Sequence, residues 1–466
     1  MSAHRSLWLR EALAGERRLP ELGGDDSADV AIVGAGYVGL WTAIRIREAE
    51  PDCDVVVLER DICGGGASGR NGGFVLPWWP KLESLVEVCG EEDALALARA
   101  TESAVDELGR FCEEHGIDAQ YRRDGHLWTA TTRAQVGAWA EVDAFCRRHG
   151  VEAFEPLEPE EVARRTGSPV HLAGVLERHA ATVHPGRLVR GLRRVALARG
   201  ARIFEGTRVR RLDRRRPAVL HTAHGRLTAE RVVLTTNAWA AALRELHRRL
   251  AVISSDIVVI APGPERIQEL GWTGGECISD SQLQIHYYQA RPDGRIVFGK
   301  GGWGIALGGW IGRSFDRHNR RAADVAADLR RIYPALADVP VEDAWAGPID
   351  RTAKGLPLIG HLGGREHLLY GVGWSGNGIG PALVGGRILA SLALGRRDDW
   401  SASRLIDADV GAFPPEPVRY VGAHVVRAAV ARKERAEALD DSVPRWAAAV
   451  SRLAPPGIIP KRTDVP

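Results

Sequence analysis

The feature that most constrains the fold is a glycine-spaced turn between two short apolar segments near the start of the chain. Residues 30–33 read Val-Ala-Ile-Val and residues 55–58 read Val-Val-Val-Leu, and runs of this kind are typical of strands buried on both faces. Directly after the first run, Gly34, Gly36 and Gly39 open a helical stretch with the spacing G-x-G-x-x-G. The sequence therefore predicts a βαβ unit of an α/β fold.

Each glycine of this turn has a separate physical role. The first permits the tight turn, the second lets the backbone approach a diphosphate, and the third lets the helix and the strand pack closely. The helix N-terminus offers free N–H groups and a partial positive charge to the diphosphate. Glu59 ends the second strand twenty residues after Gly39, where a carboxylate accepts hydrogen bonds from ribose hydroxyls. The unit is therefore predicted to bind a dinucleotide.

Charge and cysteine patterns exclude several classes of function. The 62 basic and 60 acidic side chains leave a formal charge of +2, so nothing favours nucleic acid as a partner. The six cysteines are widely separated, which predicts reduced thiols, no metal site and a cytoplasmic location. The first twenty residues hold several charges, and glycines interrupt the charge-free run at 368–386, so we expect neither export nor a membrane span.

A second glycine-rich segment follows the nucleotide unit. Residues 63–74 read Cys-Gly-Gly-Gly-Ala-Ser-Gly-Arg-Asn-Gly-Gly-Phe, a run of backbone donors with few side chains to keep a large flat ligand away. Together with the first turn, this segment resembles the FAD-dependent oxidoreductases of the glycine/D-amino acid oxidase superfamily, also called the DAO or sarcosine oxidase-like family. Within it, the Ser-Gly-Arg-Asn-Gly-Gly run is similar to the γ-glutamylputrescine oxidoreductases and the related aminophosphonate oxidoreductases.

The resemblance spans about residues 29–394 and includes four further motifs in the family's order. They are His184-Pro-Gly-Arg-Leu, Thr235-Thr-Asn-Ala-Trp, Lys354-Gly-Leu-Pro-Leu-Ile-Gly and Gly373-Trp-Ser-Gly-Asn-Gly.

The resemblance implies FAD as the cofactor and assigns residues to each part of it. The ADP half would be held by Gly34, Gly36, Gly39, Glu59 and Arg60; the diphosphate and flavin by Ser68, Arg70, Asn71 and Gly72; the adenine by Val209; and the pyrimidine edge of the flavin by Gly376, Asn377 and Gly378. Ser68 and Asn71 have an alternative role as caps of turns. Because residues 64–73 contain no His or Cys, noncovalent FAD is favoured over attachment through Cys63 or Cys277.

Family members mostly oxidise a C–N bond, so the resemblance implies a small-molecule amine or amino acid as substrate. A hydride would move to the N5 atom of the flavin, and the resulting imine would be hydrolysed, with oxygen or another compound as the electron acceptor. Such chemistry depends on positioning and a dry pocket more than on an acid–base residue. Oxidation of a C–O bond in a hydroxy acid or glycerol phosphate, and flavin binding without turnover, stay open as alternatives, as does the oligomeric state.

Four residues are candidates for the substrate side of the flavin. His286 and Tyr287 lie on a predicted strand, where alternation places His286 with Tyr288 on one face and Tyr287 on the other. Lys300 stands among glycines in a chain with few lysines and could bind an anionic group or assist reaction with oxygen. Lys354 precedes the Gly-Leu-Pro stretch, where relatives often carry an acidic or small residue. Core packing or solvation of these side chains is the alternative to each role.

The predicted fold class is α/β, with a Rossmann-type FAD-binding domain interleaved with an α+β substrate domain built on a mainly antiparallel sheet. Interleaving is expected because the nucleotide unit begins the chain while another unit of strand, glycine loop and helix lies near its end. The predicted ranges are 28–90, 156–245 and 341–400 for the FAD-binding domain, 91–155 and 246–340 for the substrate domain, and 401–466 for a C-terminal helical extension that packs on the surface.

Overall fold

The computed structural model describes residues 5–312, 315 and 319–455. Its strands are β1 (Asp26–Val33), β2 (Val55–Leu58), β3 (Phe74–Val75), β4 (His126–Ala130), β5 (Glu155–Leu157), β6 (Ala173–Glu177), β7 (Ala181–Thr182), β8 (Arg202–Phe204), β9 (Arg211–Asp213), β10 (Ala218–His221), β11 (Arg226–Leu234), β12 (Ala251–Ile260), β13 (Cys277–Asp280), β14 (His286–Ala290), β15 (Ile296–Ile305), β16 (Val341–Arg351), β17 (Leu358–His361) and β18 (Leu368–Val372). Its helices are α1 (Leu7–Ala12), α2 (Tyr37–Ala49), α3 (Leu82–Cys89), α4 (Glu91–Glu114), α5 (Ala140–Arg148), α6 (Pro159–Thr166), α7 (Pro185–Ala198), α8 (Pro264–Glu269), α9 (Asn319–Ile332), α10 (Gly380–Leu394), α11 (Val418–Ala438) and α12 (Arg445–Ser451).

The first large sheet is of the doubly wound type. Its strands lie in the order β17-β18-β11-β1-β2-β8, and the pairs from β18 to β8 are parallel. The antiparallel strands β10 and β9 extend from β11. Every residue of β2 and β18 is buried, as expected for strands covered on both faces. Helices α2 and α10 pack against each other over this sheet.

The second large sheet has the order β16-β12-β15-β14-β13-β4-β6-β5 and is antiparallel except for the pair β13 and β4. Helix α9 packs on one of its faces through an apolar cluster that includes Tyr288, Phe298, Leu329 and Tyr333. Strands of this sheet come from separate parts of the chain, before and after β11. The expected mixture of a Rossmann-type sheet and a mainly antiparallel sheet, interleaved along the chain, is confirmed.

Two predicted domain ranges disagree with the strand pairing. β6 lies within 156–245 and β16 within 341–400, both expected in the FAD-binding domain, yet β6 pairs with β4 and β16 pairs with β12 in the second sheet. The reason is that an alternating apolar strand encodes a buried face but not the neighbour with which it pairs. The other ranges stay predictions.

The described part of the C-terminal extension contains two helices, which follow a non-helical stretch at 401–417. Helices α11 and α12 lie in the predicted range 401–466, of which 456–466 are outside the described residues. Within the described part of the chain, none of the helices combines the length and the apolar character that a membrane crossing needs.

Candidate functional site

A cavity of about 1390 Å³ is lined by residues of both large sheets. Val33, Leu58 and Leu234 bring it to the carboxyl ends of β1, β2 and β11, where ligands of open α/β sheets bind. Ser255 and Tyr287 belong to its lining on the second sheet. The cavity therefore joins the predicted nucleotide turn to the predicted substrate face.

The turn between β1 and α2 has the geometry that its glycines predict. Gly34 has a φ of +106°, which L side chains rarely adopt, and a Cβ there would meet the carbonyl oxygen of Thr235 at 2.7 Å. A Cβ on Gly39 would meet the carbonyl oxygen of Gly34 at 2.0 Å. Gly34 and Gly36 line the cavity at the start of α2, so the backbone N–H groups and the positive end of the helix dipole lie beside it.

Glu59 lies at the end of β2, in the cavity wall, and is 9% exposed. Its two carboxylate oxygens accept hydrogen bonds from the backbone N–H groups of Ala35 and Asp61, each at 2.9 Å. Burial raises the pKa of Glu59 above its usual value. These bonds fix the carboxylate beside the glycine turn, and each oxygen keeps a further lone pair for a hydroxyl.

The glycine-rich segment 64–72 forms another part of the cavity wall, and its polar side chains brace its backbone. Ser68 Oγ accepts from the N–H of Tyr37 at 3.0 Å, at the first residue of α2. Asn71 Nδ2 donates to the carbonyls of Ala67 and Ser68, and its Oδ1 accepts from the N–H of Gly73. The turn-capping role expected as an alternative for Ser68 and Asn71 is thus present in the structure.

Arg70 is 6% exposed and joins this segment to the second sheet, because its guanidinium donates to the carbonyls of Gly65 and Ala346. Gly72 lies against the Tyr287 ring, since a Cβ at that position would meet two ring carbons at 2.7 Å. Both residues line the cavity. The segment therefore lies at the junction of the two sheets.

Residues before β1 form hydrogen bonds to backbone carbonyls of the glycine-rich segment. Ser6 Oγ donates to the carbonyl of Gly69, and Trp8 Nε1 donates to the carbonyl of Asn71 at 2.9 Å. Trp345 Nε1 on β16 donates to the carbonyl of Arg70 at 2.8 Å. Three successive carbonyls are therefore satisfied by buried side chains. Ser6 and Trp8 could not be predicted from the sequence, because their partners are distant in the chain.

The other glycine-rich loop, Trp374 to Ile379, follows β18 and leads into α10. Ser375 is 1% exposed and has a φ of +55°, and its N–H donates to the carbonyl of Asp350 at 3.1 Å. Burial raises the pKa of Asp350 to about 7. A strained, fully buried serine in a cavity wall is a feature typical of functional sites.

The residues assigned to the far ends of a dinucleotide also line this cavity. Gly376, Asn377 and Gly378 lie in the wall before α10, and Val209 lies in it with neighbouring residues before β9. The Arg60 guanidinium lies 3.7 Å from the ring centroid of Trp239, and both residues line the cavity. All thirteen predicted cofactor residues except Gly39 appear in this wall; Gly39 packs beneath the turn.

Tyr287 faces the cavity from β14. Its hydroxyl lies 2.7 Å from Ser255 Oγ on β12, and Ser255 in turn donates to the carbonyl of Lys300. Burial raises the pKa of Tyr287 above its ordinary value, so the phenol stays protonated at neutral pH. Ser255 was not predicted, because its pairing with Tyr287 depends on the strand order.

His286 and Lys300 do not face the cavity, contrary to the prediction. They are paired residues on β14 and β15, and both side chains point to the opposite face of the sheet. There His286 Nδ1 lies 2.7 Å from Asp280, while Asp328 of α9 contacts His286 Nε2 at 3.1 Å and Lys300 Nζ at 2.6 Å. Strand alternation, which separates neighbouring side chains, explains why Tyr287 alone of the three lines the cavity.

Lys354 is also outside the cavity wall. Its Nζ pairs with the exposed Glu87 at 2.7 Å. Arg351, three residues earlier, does line the cavity, and burial lowers the pKa of its guanidinium to about 10, so it keeps its positive charge at neutral pH. The turn after β16 separates the two cations, because Arg351 ends the strand and Lys354 lies in the loop that follows.

Comparisons with known proteins agree with this geometry. The family model described as FAD dependent oxidoreductase (DAO) matches residues 29–392. The probable oxidoreductase OrdL of Rhizobium meliloti is 30% identical over 426 residues, 87% of this chain and 92% of that protein. The γ-glutamylputrescine oxidoreductase of Escherichia coli is 27% identical over 81% of this chain and 86% of its own length. The crystal structure of glycine oxidase from Geobacillus kaustophilus has the same fold, with a TM-score of 0.65, 22% identity, and coverage of 80% of this chain and 96% of that one.

Proposed function

The chain belongs to the DAO family of FAD-dependent oxidoreductases, and from this premise we propose that it oxidises the C–N bond of a small amine or amino acid. The family is one of amine and amino-acid oxidases and uses FAD. The main support for oxidation of a C–N bond is that one cavity extends from the nucleotide turn to the face of the second sheet that bears Tyr287.

The residues of the cavity fit FAD. Within the described chain, Trp374 Nε1, Asn377 Oδ1 and Asn237 Oδ1 have no hydrogen-bond partner, and all three residues line the cavity. Buried polar atoms of this kind are usually satisfied, so a polar ligand explains them. The N-termini of α2 and α10 both reach the cavity, one for a diphosphate and one for the negative charge of a reduced flavin ring. When bound, FAD supplies a two-electron acceptor for the hydride that leaves the carbon next to the amine nitrogen.

We propose that the FAD is held without a covalent bond. Among the cavity-lining residues that the structure describes there is neither histidine nor cysteine. Cys63 and Cys277 are fully buried elsewhere, and burial raises the pKa of both thiols well above the usual value, which keeps them protonated. A cytoplasmic location is proposed with this, since the six cysteines carry free thiols.

Side chains in the cavity wall can orient an amine substrate and exclude water from it. Tyr287 and Ser255 place a hydrogen-bonded pair of hydroxyls in the cavity wall beside the segment at Gly72. The half-buried guanidinium of Arg351 provides a positive charge for a carboxylate or phosphonate. Isoleucine side chains at 253, 285 and 305 exclude water from the same wall. The proposed site consists of these residues together with the thirteen residues assigned to the cofactor.

The test is anaerobic reduction of the purified, yellow protein. Primary and secondary amines, amino acids of both configurations, 2-hydroxy acids and glycerol 3-phosphate are added one at a time, and the visible flavin absorbance is followed. We expect bleaching by an amine or amino acid, release of ammonia or a smaller amine, and recovery of the colour with oxygen or an added acceptor. Bleaching by hydroxy compounds alone would replace the proposal with C–O oxidation. No bleaching by any compound would contradict catalysis at this site.

A further inference from the structure

Residues beyond the matched family range form part of the cavity wall. The family match ends at residue 392, whereas α11 and α12 span residues 418 to 451. Ala423, Val426 and Val430 of α11 line the cavity, as does Ala454 after α12. The extension was expected to pack on the surface, and α11 does expose Val418 and Val421, but its other face contributes to the cavity wall. We call α11, α12 and residues 452–455 the C-terminal cap.

The cap is fixed to the body of the protein at both ends of α11. Near its start, Arg419 donates to the carbonyls of His247 at 2.6 Å and Leu250 at 3.0 Å. Near its end, the Glu434 carboxylate accepts from the N–H of Gln284 at 3.0 Å. Leu250 directly precedes β12 and Gln284 lies shortly before β14, so the helix crosses the end of the second sheet.

The last described residues fix the cap at a third point. Arg351 at the end of β16 donates to the carbonyl of Pro455 at 3.3 Å. Helices α11 and α12 also pack against each other. The C-terminal cap is therefore an ordered part of the cavity wall, because hydrogen bonds attach it at three places along the end of the second sheet.

The cap and the second sheet give the cavity an apolar part. The lining side chains of α11 at 423, 426 and 430 carry no polar atom, and neither do Ile253, Ile285 and Ile305 of the sheet side. Such a surface favours a hydrocarbon group, by about fourfold in affinity for each methylene taken out of water. Arg351 lines the same cavity, and its positive charge disfavours a second ammonium group on the ligand near it.

We propose that the C-terminal cap determines specificity by accepting a hydrocarbon arm of the amine substrate, with Val426 as a specificity-determining residue. This inference rests on the proposed amine oxidation and deepens it. The substrate class is a monoamine or amino acid whose side chain is apolar, and a diamine is selected against. The arm lies between the cap and the isoleucines of the second sheet while the amine end approaches Tyr287.

The test uses binding as well as turnover. Amines with a quaternary α-carbon, such as tert-butylamine and its homologues with a longer arm, have no α C–H and so bind without being oxidised. Titration into the FAD-loaded protein is followed by the shift of the visible flavin spectrum. We expect the dissociation constant to fall by about threefold to fourfold for each added methylene until the apolar part is filled. A dissociation constant independent of arm length overturns the inference.

A matched pair of variants locates the effect. Val426→Trp places a large ring in the cavity wall, whereas Val421→Trp changes a valine of the same helix that is 58% exposed and outside the wall. We expect Val426→Trp to weaken binding of the amine with the longest arm about tenfold or more, and to change binding of tert-butylamine by less than threefold. We expect Val421→Trp to change the binding of either amine by less than threefold. If Val426→Trp does not fold, Val426→Ala serves instead and shifts the preferred arm to a greater length.

The two proposals fail in different ways. Equal effects of the Val426→Trp and Val421→Trp variants, or tighter binding of 1,4-diaminobutane than of n-butylamine, would refute the role of the cap. Tight, arm-dependent binding without flavin reduction by any oxidisable amine would leave the cap as a binding wall and refute amine oxidation.

Discussion

Tyr287 shows how much one residue's position in a strand decides. Its neighbours His286 and Tyr288 point away from the cavity, one into the ionic cluster with Asp280 and the other toward His171. Alternation could be predicted from the sequence, but which face meets the cavity could not. That choice depends on α9, which covers the other face.

Replacing Tyr287 and Tyr288 by phenylalanine separates the two faces. Tyr287→Phe removes the hydroxyl bonded to Ser255, so we expect flavin reduction to slow by about tenfold at unchanged FAD content. Tyr288→Phe removes the hydroxyl bonded to His171 Nε2 at 3.0 Å and should lower the free energy of unfolding by about 1 kcal/mol without changing that rate. Stopped-flow reduction and urea unfolding measure the two effects. Equal reduction rates in both variants would contradict the assignment of Tyr287.

At the scale of elements, the segment before β1 and the helices after residue 414 both complete a site whose motifs lie elsewhere in the chain. Ser6 and Trp8 donate hydrogen bonds to carbonyls of the glycine-rich segment 64–72, and α11 lines the cavity. Neither element carries a motif, so no pattern in the sequence predicts these contacts.

The contribution of the first helix is measurable as FAD affinity. Trp8→Phe removes the hydrogen bond to the carbonyl of Asn71 and leaves that buried acceptor unsatisfied. Loss of about 1 kcal/mol in the ordering of the segment predicts a rise of about fivefold in the dissociation constant of FAD. Arg10→Ala, which breaks an ion pair with Asp343 and a hydrogen bond to the carbonyl of Arg5 but no contact with residues 64–72, is the control and should change the constant little. Fluorescence titration of the apoprotein with FAD measures the dissociation constants. Equal constants for Trp8→Phe and the wild type would show that the hydrogen bond from Trp8 does not contribute to FAD binding.

We expect the attachment of α11 to depend on pH through Glu434. Burial raises its pKa from the usual 4.5 to about 7, although the nearby Lys300 and His286 oppose this and Asp280 adds to it. The folded state therefore binds this proton more tightly than the unfolded state, and the free energy of unfolding falls as pH rises from about 4.5 through 7.

The Glu434→Gln side chain cannot ionise, so this variant should not show the fall in the free energy of unfolding that ionisation of Glu434 causes. We expect the variant to gain stability relative to the wild type between pH 5 and pH 8, by about 2 kcal/mol at most. Glu437→Gln, whose carboxylate pairs with Lys433, is the control on the same helix. Thermal unfolding across this pH range gives the difference. A gap between Glu434→Gln and wild type that stays constant with pH would contradict an ionisable anchor.

At the scale of the whole molecule, the candidate cofactor cavity lies between two sheets that are interleaved along the chain. The turn after β1, the loop after β18, and Tyr287 on β14 all line it. A ligand that fills the cavity therefore contacts both sheets and stabilises them together.

Added FAD should therefore raise the unfolding temperature of the apoprotein in one cooperative transition. At a free concentration of 100 times the dissociation constant, the gain is about 2.7 kcal/mol. Riboflavin lacks the ADP half that the Gly34 turn and Glu59 would hold, so at equal concentration it should stabilise much less. Scanning calorimetry distinguishes this outcome from two separate transitions of which FAD moves only one.

The part of the candidate site that we assign to the cofactor was predictable because its signals are local. Gly34 needs a positive φ, Gly39 allows no Cβ, and Glu59 ends a strand, and each of these requirements is met within one βαβ unit. The sequence by itself therefore determined the nucleotide turn, the two-sheet fold class and the family resemblance.

The substrate half was decided only by the tertiary structure. Strand pairing turned Lys300 and His286 toward α9, the turn after β16 placed Lys354 against Glu87, and distant segments contributed Ser255 and Val426. The physical reason is that burial and hydrogen bonding between residues far apart in the chain depend on which surfaces meet. Local patterns of apolar and polar residues specify that an element has a buried face, but they do not specify its partner.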